Sequence, residues 1–391
     1  MNLGRNVALL AVASFLADVS GEMLLAVLPF LLVAQGATGV GIGLVDGFAD
    51  AIGHVLKPVA GAVADRFGKR KPLIISGYLV AALSRIGIAL ASAWQTSLFF
   101  RSADRVGKGL RTAPRDALLA ESVPSTVRGR AFGFHRAADT AGAVVGVALA
   151  LGALALLDAT PQAIVLAGAI IGLTTAIPLV FVREIAPRSA GTQRSIEMRS
   201  PKFRVFVLLA GAFALGEVSY MFFILRATGS TTQAGAVGLY LLFNVVYLAA
   251  AYPAGKLADR VGKPRVLLAG WLLFGASAAV FVLPPSLPLA IAAFVVLGLG
   301  FAGFDSMQRA LAADLSGQHK RSTRLGVFHA TIGIAAVTGG LVGGLLWDNV
   351  GEWATFAWAA SLALVAASAL AFLFPPGGPK GTFALPEGPE G

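Results

Sequence analysis

Cysteine is absent from this 391-residue sequence, which excludes disulfides and thiolate metal sites and leaves the redox compartment open. Histidine is scarce: His54, His135, His319 and His329 are all there are, and no two stand at the spacing of a helical metal pair. No Gly-x-x-x-x-Gly-Lys-Ser/Thr phosphate loop occurs. Gly68-Lys69 and Gly262-Lys263 lack both the leading glycine and the hydroxyl residue, which removes a nucleotide-driven pump. No nucleophile elbow is present either, so an integral membrane enzyme stays only as a remote reading, and neither metal nor organic cofactor is expected. Charge is the largest shortfall. Charged residues make up 13% of the chain, where soluble domains carry about a quarter.

What fills the chain instead is apolar: 57% hydrophobic residues with 47 glycines, and a mean hydropathy of +0.78. A helix crosses the hydrocarbon in about 20 apolar residues. Apolar runs and their breakers predict spans near 7–34, 40–63, 72–93, 95–120, 131–157, 161–182, 203–226, 233–257, 264–284, 287–313, 325–348 and 352–374. The first is too long for a signal-peptide core and carries Asp18 and Glu22, so it reads as a span and not a cleavable leader. The Pro/Gly-rich tail 375–391 has nothing to bury and is expected to be disordered.

The net charge of +11 could suggest nucleic acid, but the cations are not spread at random. Alternate loops hold Arg66, Lys69, Arg70 and Lys71; Arg128 and Arg130; the run from Arg183 to Arg204; Arg260, Lys263 and Arg265; and Lys320, Arg321 and Arg324. The opposite loops have Arg226 at an edge beside Asp158, Asp348 and Glu352. This asymmetry orients membrane proteins with the basic loops inside. Both termini are expected in the cytoplasm of a cell whose inner (plasma) membrane the chain spans repeatedly. The partners expected are lipid and a small molecule, with no nucleic acid, and the chain is expected to act as a monomer.

The chain also repeats itself. Gly61-Ala-Val-Ala-Asp65-Arg66-Phe-Gly68-Lys69-Arg70-Lys71 returns 194 residues later as Gly255-Lys-Leu-Ala-Asp259-Arg260-Val-Gly262-Lys263-Pro-Arg265. Asp116 to Glu121 echoes Arg309 to Asp314, and Phe134-His135 echoes Phe328-His329, at offsets of 193 and 194. Two six-helix bundles follow, 1–182 and 203–374, joined by a polar linker 183–202. Duplicated bundles are a recurrent transporter plan, with substrate between the halves.

The first copy, Gly-x-x-x-Asp-Arg-x-Gly-Lys-Arg between the second and third spans, resembles the signature loop of the major facilitator superfamily, and a weaker copy in the second half is typical of that family. The resemblance extends over roughly residues 5–375 and implies an all-α membrane fold of twelve helices in two pseudo-symmetric bundles. It also implies alternating access, with Gly61, Asp65, Arg66, Gly68, Lys69 and Arg70, and Asp259 and Arg260 in the second copy, forming a conformational latch. The physical parts fit: glycines permit a tight turn, and a carboxylate is favoured at a helix N-terminus.

Intramembrane charges are functional candidates by default. The fourth span carries Arg101, Asp104, Arg105, Lys108, Arg111, Arg115 and Asp116 at spacings that place most on one face. Arg105-x-x-x-Gly109 resembles the fourth-helix arginine motif of proton-coupled facilitators, which implies a proton as coupling ion. Counter-charges stand on other spans: Asp18 and Glu22; Asp46, Asp50, His54 and Lys57; Arg85; Arg136 and Asp139. Counting about 1.5 Å per residue levels Glu22 and Asp50 with Arg105, Asp18 with Arg111, Asp139 with Arg115 and Arg85 with Asp104. Asp18, Glu22, Asp50 and Arg105 are therefore the coupling candidates, with Glu22 first. Arg101, Lys108, Arg111, Arg115 and Asp139, with Glu217, Tyr240, Asn244, Asp305, Gln308 and Arg309 from the second half, are the candidates for substrate and cavity contacts.

Gly142 and Gly146, and Gly339, Gly340, Gly343 and Gly344, are small-residue stretches suited to close helix packing. The first pair resembles the fifth-helix motif of drug–proton antiporters without its proline. The expected function is proton-coupled export of a drug-like compound or metabolite. Uptake of an anionic solute, suggested by the fourth-span cations, is the alternative.

Overall fold

The computed structural model describes residues 4–67, 70–124, 127–185, 201–316 and 321–373. Gly68, Lys69, His319, linker residues 186–200 and the tail lie outside these. Gly61, Asp65 and Arg66 fall on the last turns of a described helix, but their side chains lie outside the described set.

Among the described residues every regular element is a helix. They are α1 (Arg5–Ala34), α2 (Gly39–Phe67), α3 (Lys71–Leu90), α4 (Trp94–Glu121), α5 (Arg128–Leu157), α6 (Pro161–Thr174), α7 (Ala176–Val180), α8 (Pro201–Gly216), α9 (Tyr220–Ala227), α10 (Gln233–Val261), α11 (Lys263–Val282), α12 (Leu287–Leu315), α13 (Arg321–Asn349) and α14 (Glu352–Leu373). Ten spans among them are long and apolar enough to cross a membrane; α2 and α4 are of the same length, 29 and 28 residues. Lipid offers no partner for a free backbone amide or carbonyl, so uninterrupted helices are the natural solution.

Two spans expected as single helices are each two. Pro178 on α7 has no amide for the Thr174 carbonyl and crowds it, so α6 stops there. In the seventh span, α8 ends at Gly216 and the chain restarts at α9, where the Ser219 hydroxyl accepts the Met221 amide at 3.2 Å. Glu217 sits in that break.

The internal repeat is visible in packing. In the first half α3 lies on α4, α1 on α5 and α6, and α2 on α4; in the second α11 lies on α12, α8 on α13 and α14, and α10 on α12. Small residues let the paired helices touch: a Cβ on Gly77 would stand 2.6 Å from the Gly107 carbonyl, and one on Gly270 would stand 2.8 Å from the Gly303 carbonyl carbon. The repeated acid is also held alike in both halves. Glu121 pairs with Arg70, and Asp314 with Lys263 at 2.5 Å.

The halves meet through α2 on α13 and α5 on α10. Gly39, Gly43, Gly47 and Ala51 on α2 face Gly344, Gly340, Ala336 and Gly333 on α13, in antiparallel register over about three turns. Asp348 closes the end of this seam by accepting the amides of Gly39 (2.7 Å) and Val40 (3.0 Å), a carboxylate cap on a helix N-terminus. One apolar core runs through both halves, with Leu28, Leu31, Ile42 and Val147 packed together with Phe213, Phe222 and Trp271. A second, built from Val7, Leu10, Tyr78 and Leu118, belongs to the first half alone and sits toward the opposite end of α1. The halves are thus fused at the end where α2 begins.

Candidate substrate cavity and intramembrane charge network

A cavity of about 250 Å³ opens between the halves. Its walls come from α2, the α8–α9 break, α10, α12 and α13. Asp46 and Asp50 face it from the first half, and Glu217, Tyr240, Asp305, Gln308 and Arg309 from the second. Aromatic rings line much of the remainder: Tyr220 stacks on Tyr240 (centroids 5.4 Å apart), Tyr240 on Phe243 (5.8 Å), and Phe301 meets Phe243 edge-on (5.2 Å). The α8–α9 break positions Glu217 and Tyr220, since a continuous helix would carry both around a regular turn.

The fourth-span ladder lies mostly outside this cavity, within the first bundle. Asp104 is the hub: it accepts from Arg85 Nε at 3.0 Å and from Arg101 Nη1 at 2.9 Å, and all three side chains are buried. Arg85 also donates to the Ser20 hydroxyl at 2.6 Å and the Ala17 carbonyl at 3.3 Å, tying α3 to α1. Burying such charges is tolerable only when they are paired and bonded. Arg111 lies over the Tyr78 ring, 4.1 Å from its centroid. Arg115 donates to Asp116 and, at 3.0 Å, to the Ser14 hydroxyl, which also bonds Tyr78 and His135. Asp139 stands 3.6 Å from His135, and Asn244 donates to the Tyr240 carbonyl one turn back. Arg101, Arg111 and Arg115, expected at the cavity, therefore tie helices of the first bundle together instead; Asp139 and Asn244, also expected there, make the contacts just given within their own helices and, like Lys108, which is exposed on α4, do not line the cavity.

The coupling candidates also rearrange. Arg105 pairs with Asp50 at 3.3 Å. Glu22, matched to Arg105 by depth, instead accepts the Tyr240 hydroxyl at 3.0 Å, so its direct partner belongs to the other half. Depth along a helix fixes height but not azimuth, and Glu22 points across the interface. Asp18 lies among Asp139, Lys108, Arg111 and Arg115. The Arg85–Asp104 match is as expected. Asp46, Tyr220 and His329 were not singled out for the cavity, although the Phe134-His135 and Phe328-His329 echo marked the last. At the latch, Arg70 is buried against Glu121 while Glu184 accepts the amides of Arg70 and Lys71; Asp259 and Arg260 are exposed at the end of α10.

Comparison with known proteins decides the family. The Major Facilitator Superfamily description matches residues 10–228 and 205–389. An uncharacterized MFS-type transporter of Methanocaldococcus jannaschii is 35% identical over 381 residues, covering 95% of each chain. The chain belongs to the major facilitator superfamily. Like other members of the superfamily it is a multi-pass membrane transporter of small molecules, not an enzyme, with two six-helix bundles. The multidrug resistance protein MdtH of Aeromonas salmonicida is 26% identical over 318 residues, covering 78% of each chain. Among solved structures, the nucleoside transporter NupG superposes with a TM-score of 0.77 at 15% identity, covering 96% of this chain and all of that one. A bacterial homologue of the lysosomal transporter Spinster, inward-facing and occupied, gives 0.72 at 16% identity, covering 95% of this chain and 94% of that one.

Proposed function

We propose that the protein is a proton-coupled secondary exporter of a small drug-like molecule or metabolite in the inner (plasma) membrane. Residues 1–182 and 203–374 form its two moving bundles, the linker 183–202 and both termini are cytoplasmic, and it works as a monomer. The basic loops support the orientation, and the MdtH relatives support drug-like export. With that orientation the α2–α13 seam is the closed outer gate, and the cavity is reached from the cytoplasm. Parting α2 from α13 and closing the opposite end would expose the cavity outside.

The observation that carries the coupling is the Tyr240–Glu22 hydrogen bond. A carboxylate of the first half is held by a cavity-wall hydroxyl of the second, so moving the halves must change what surrounds it. A carboxylate's proton affinity follows burial, neighbouring charge and hydrogen bonding, and one pKa unit is about 1.4 kcal/mol. Motion of the halves is thereby converted into loading and release of a proton at Glu22, with Asp18 and the Asp50–Arg105 pair in the same bundle. The anion-uptake alternative loses its footing because Arg101, Arg105 and Arg115 are engaged by carboxylates within the first half.

Glu22→Gln and Asp18→Asn in proteoliposomes test this reading. Each should abolish accumulation driven by a pH gradient while substrate exchange without a gradient continues. If both variants still accumulate substrate, neither carboxylate is the coupling site.

A further inference from the structure

The cavity walls are acidic in excess. Asp50 and Asp305 each have an arginine at ion-pair distance, Arg105 at 3.3 Å and Arg309 at 2.6 Å, and Tyr247 also donates to Asp305 at 3.1 Å. Asp46 and Glu217 have no cation at that distance among the described residues, and Asp46 is only 7% exposed. The Glu217 carboxylate makes no hydrogen bond there either, although it stands in the helix break and faces the cavity. A further group is idle: the Tyr220 hydroxyl oxygen is buried without a partner.

Two carboxylates at membrane depth without an ion-pair partner favour a positive counter-charge between them. The rings beside them are suited to receive one. Tyr220, Tyr240 and Phe243 form a stacked series, and an aromatic face attracts a cation within about 6 Å, more strongly when water is excluded. Ligand sites are in general mostly apolar with a few placed polar groups, and here those groups are anionic.

We propose that the cavity binds a compact organic monocation, an aromatic or alkyl ammonium of up to about 250 Å³, with its charge between Glu217 and Asp46 and its body against Tyr220, Tyr240 and Phe243. This assigns the substrate class and rests on the reading of the cavity as the transport site. Glu217 is the residue on which cation binding depends most, because its carboxylate has neither a hydrogen bond nor a cation at ion-pair distance among the described residues, and the cavity's Arg309 is held by Asp305. Anionic solutes would meet the carboxylates unshielded and are excluded.

Equilibrium dialysis on the purified full-length protein tests the assignment, with N-methylquinolinium as the cation and naphthoate as an anion of similar size. N-methylquinolinium should bind saturably and naphthoate not at all. Glu217→Gln and Asp46→Asn should each weaken the cation at least tenfold, while Glu352→Gln, on the surface beside Arg226, leaves it unchanged. Absence of cation binding, naphthoate binding as tight as the cation's, or full affinity in both cavity variants would each overturn it. Selectivity of the native protein decides the matter even if a variant misfolds. Counterflow in proteoliposomes separates this from the transport reading: a cation bound but never carried removes the transport reading, whereas carriage of other compounds without cation binding removes only the assignment.

Discussion

Gly43 on α2 and Gly340 on α13 touch backbone to backbone: a Cβ built on Gly43 would lie 1.9 Å from the Gly340 carbonyl oxygen. No side chain fits there without parting the helices. Gly43→Leu or Gly340→Leu should hold the seam open and cut transport more than tenfold in a protein that still inserts. A single cysteine at Ala336, where the seam meets the cavity, should become reactive to an impermeant thiol reagent applied outside intact cells in either variant and stay protected from that side without the leucine. Normal transport in both leucine variants would show that the seam need not close.

Asp104 holds two buried guanidiniums, Arg85 and Arg101. Asp104→Asn strands both, and breaking a buried pair in this way costs about 3–5 kcal/mol. The thermal midpoint of the detergent-purified variant should fall well below that of the native protein. An unchanged midpoint would mean that this triad is not a brace.

Thr38 is exposed just before α2, and Ser195 lies in the linker. In this cysteine-free background, single cysteines there report the orientation. An impermeant reagent applied to intact cells should label Thr38→Cys and spare Ser195→Cys; the reverse pattern would invert the topology.

Much of the fold was legible because lipid penalises charge and free backbone groups so heavily that apolar lengths and basic loops had to alternate. The repeat was legible because both halves reuse one packing scheme, down to Glu121–Arg70 and Asp314–Lys263. The breaks at Thr175 and Glu217 were harder to see. Pro178 announced the first, but the second follows a lone Gly216 in an otherwise apolar run. The charge network was half legible. Depth alone paired Arg85 with Asp104, which sit on adjacent helices, yet it gave Glu22 to Arg105 because linear counting cannot show which side chains turn toward the other bundle. Nor could it show that Tyr78 would take up Arg111.

Asp65 is the only acidic residue in the first signature loop, and its proposed role is conformational. Asp65→Asn should abolish transport while expression and membrane insertion stay normal. Asp259→Asn should have a milder effect, a few-fold at most, because Pro264 already departs from the first copy. Initial transport rates at matched protein levels check both, and a fully active Asp65 variant would sink the latch.

The central claim is that protons drive this transporter. Proteoliposomes holding the purified protein can be given an interior-acid pH gradient or a sodium gradient, and offered a panel of aromatic cations, zwitterions and anions. A proton-coupled exporter should accumulate at least one compound under the interior-acid gradient, lose it when a protonophore is added, and accumulate nothing under sodium alone. Accumulation driven by sodium alone, or by an interior-alkaline gradient only, would contradict the account.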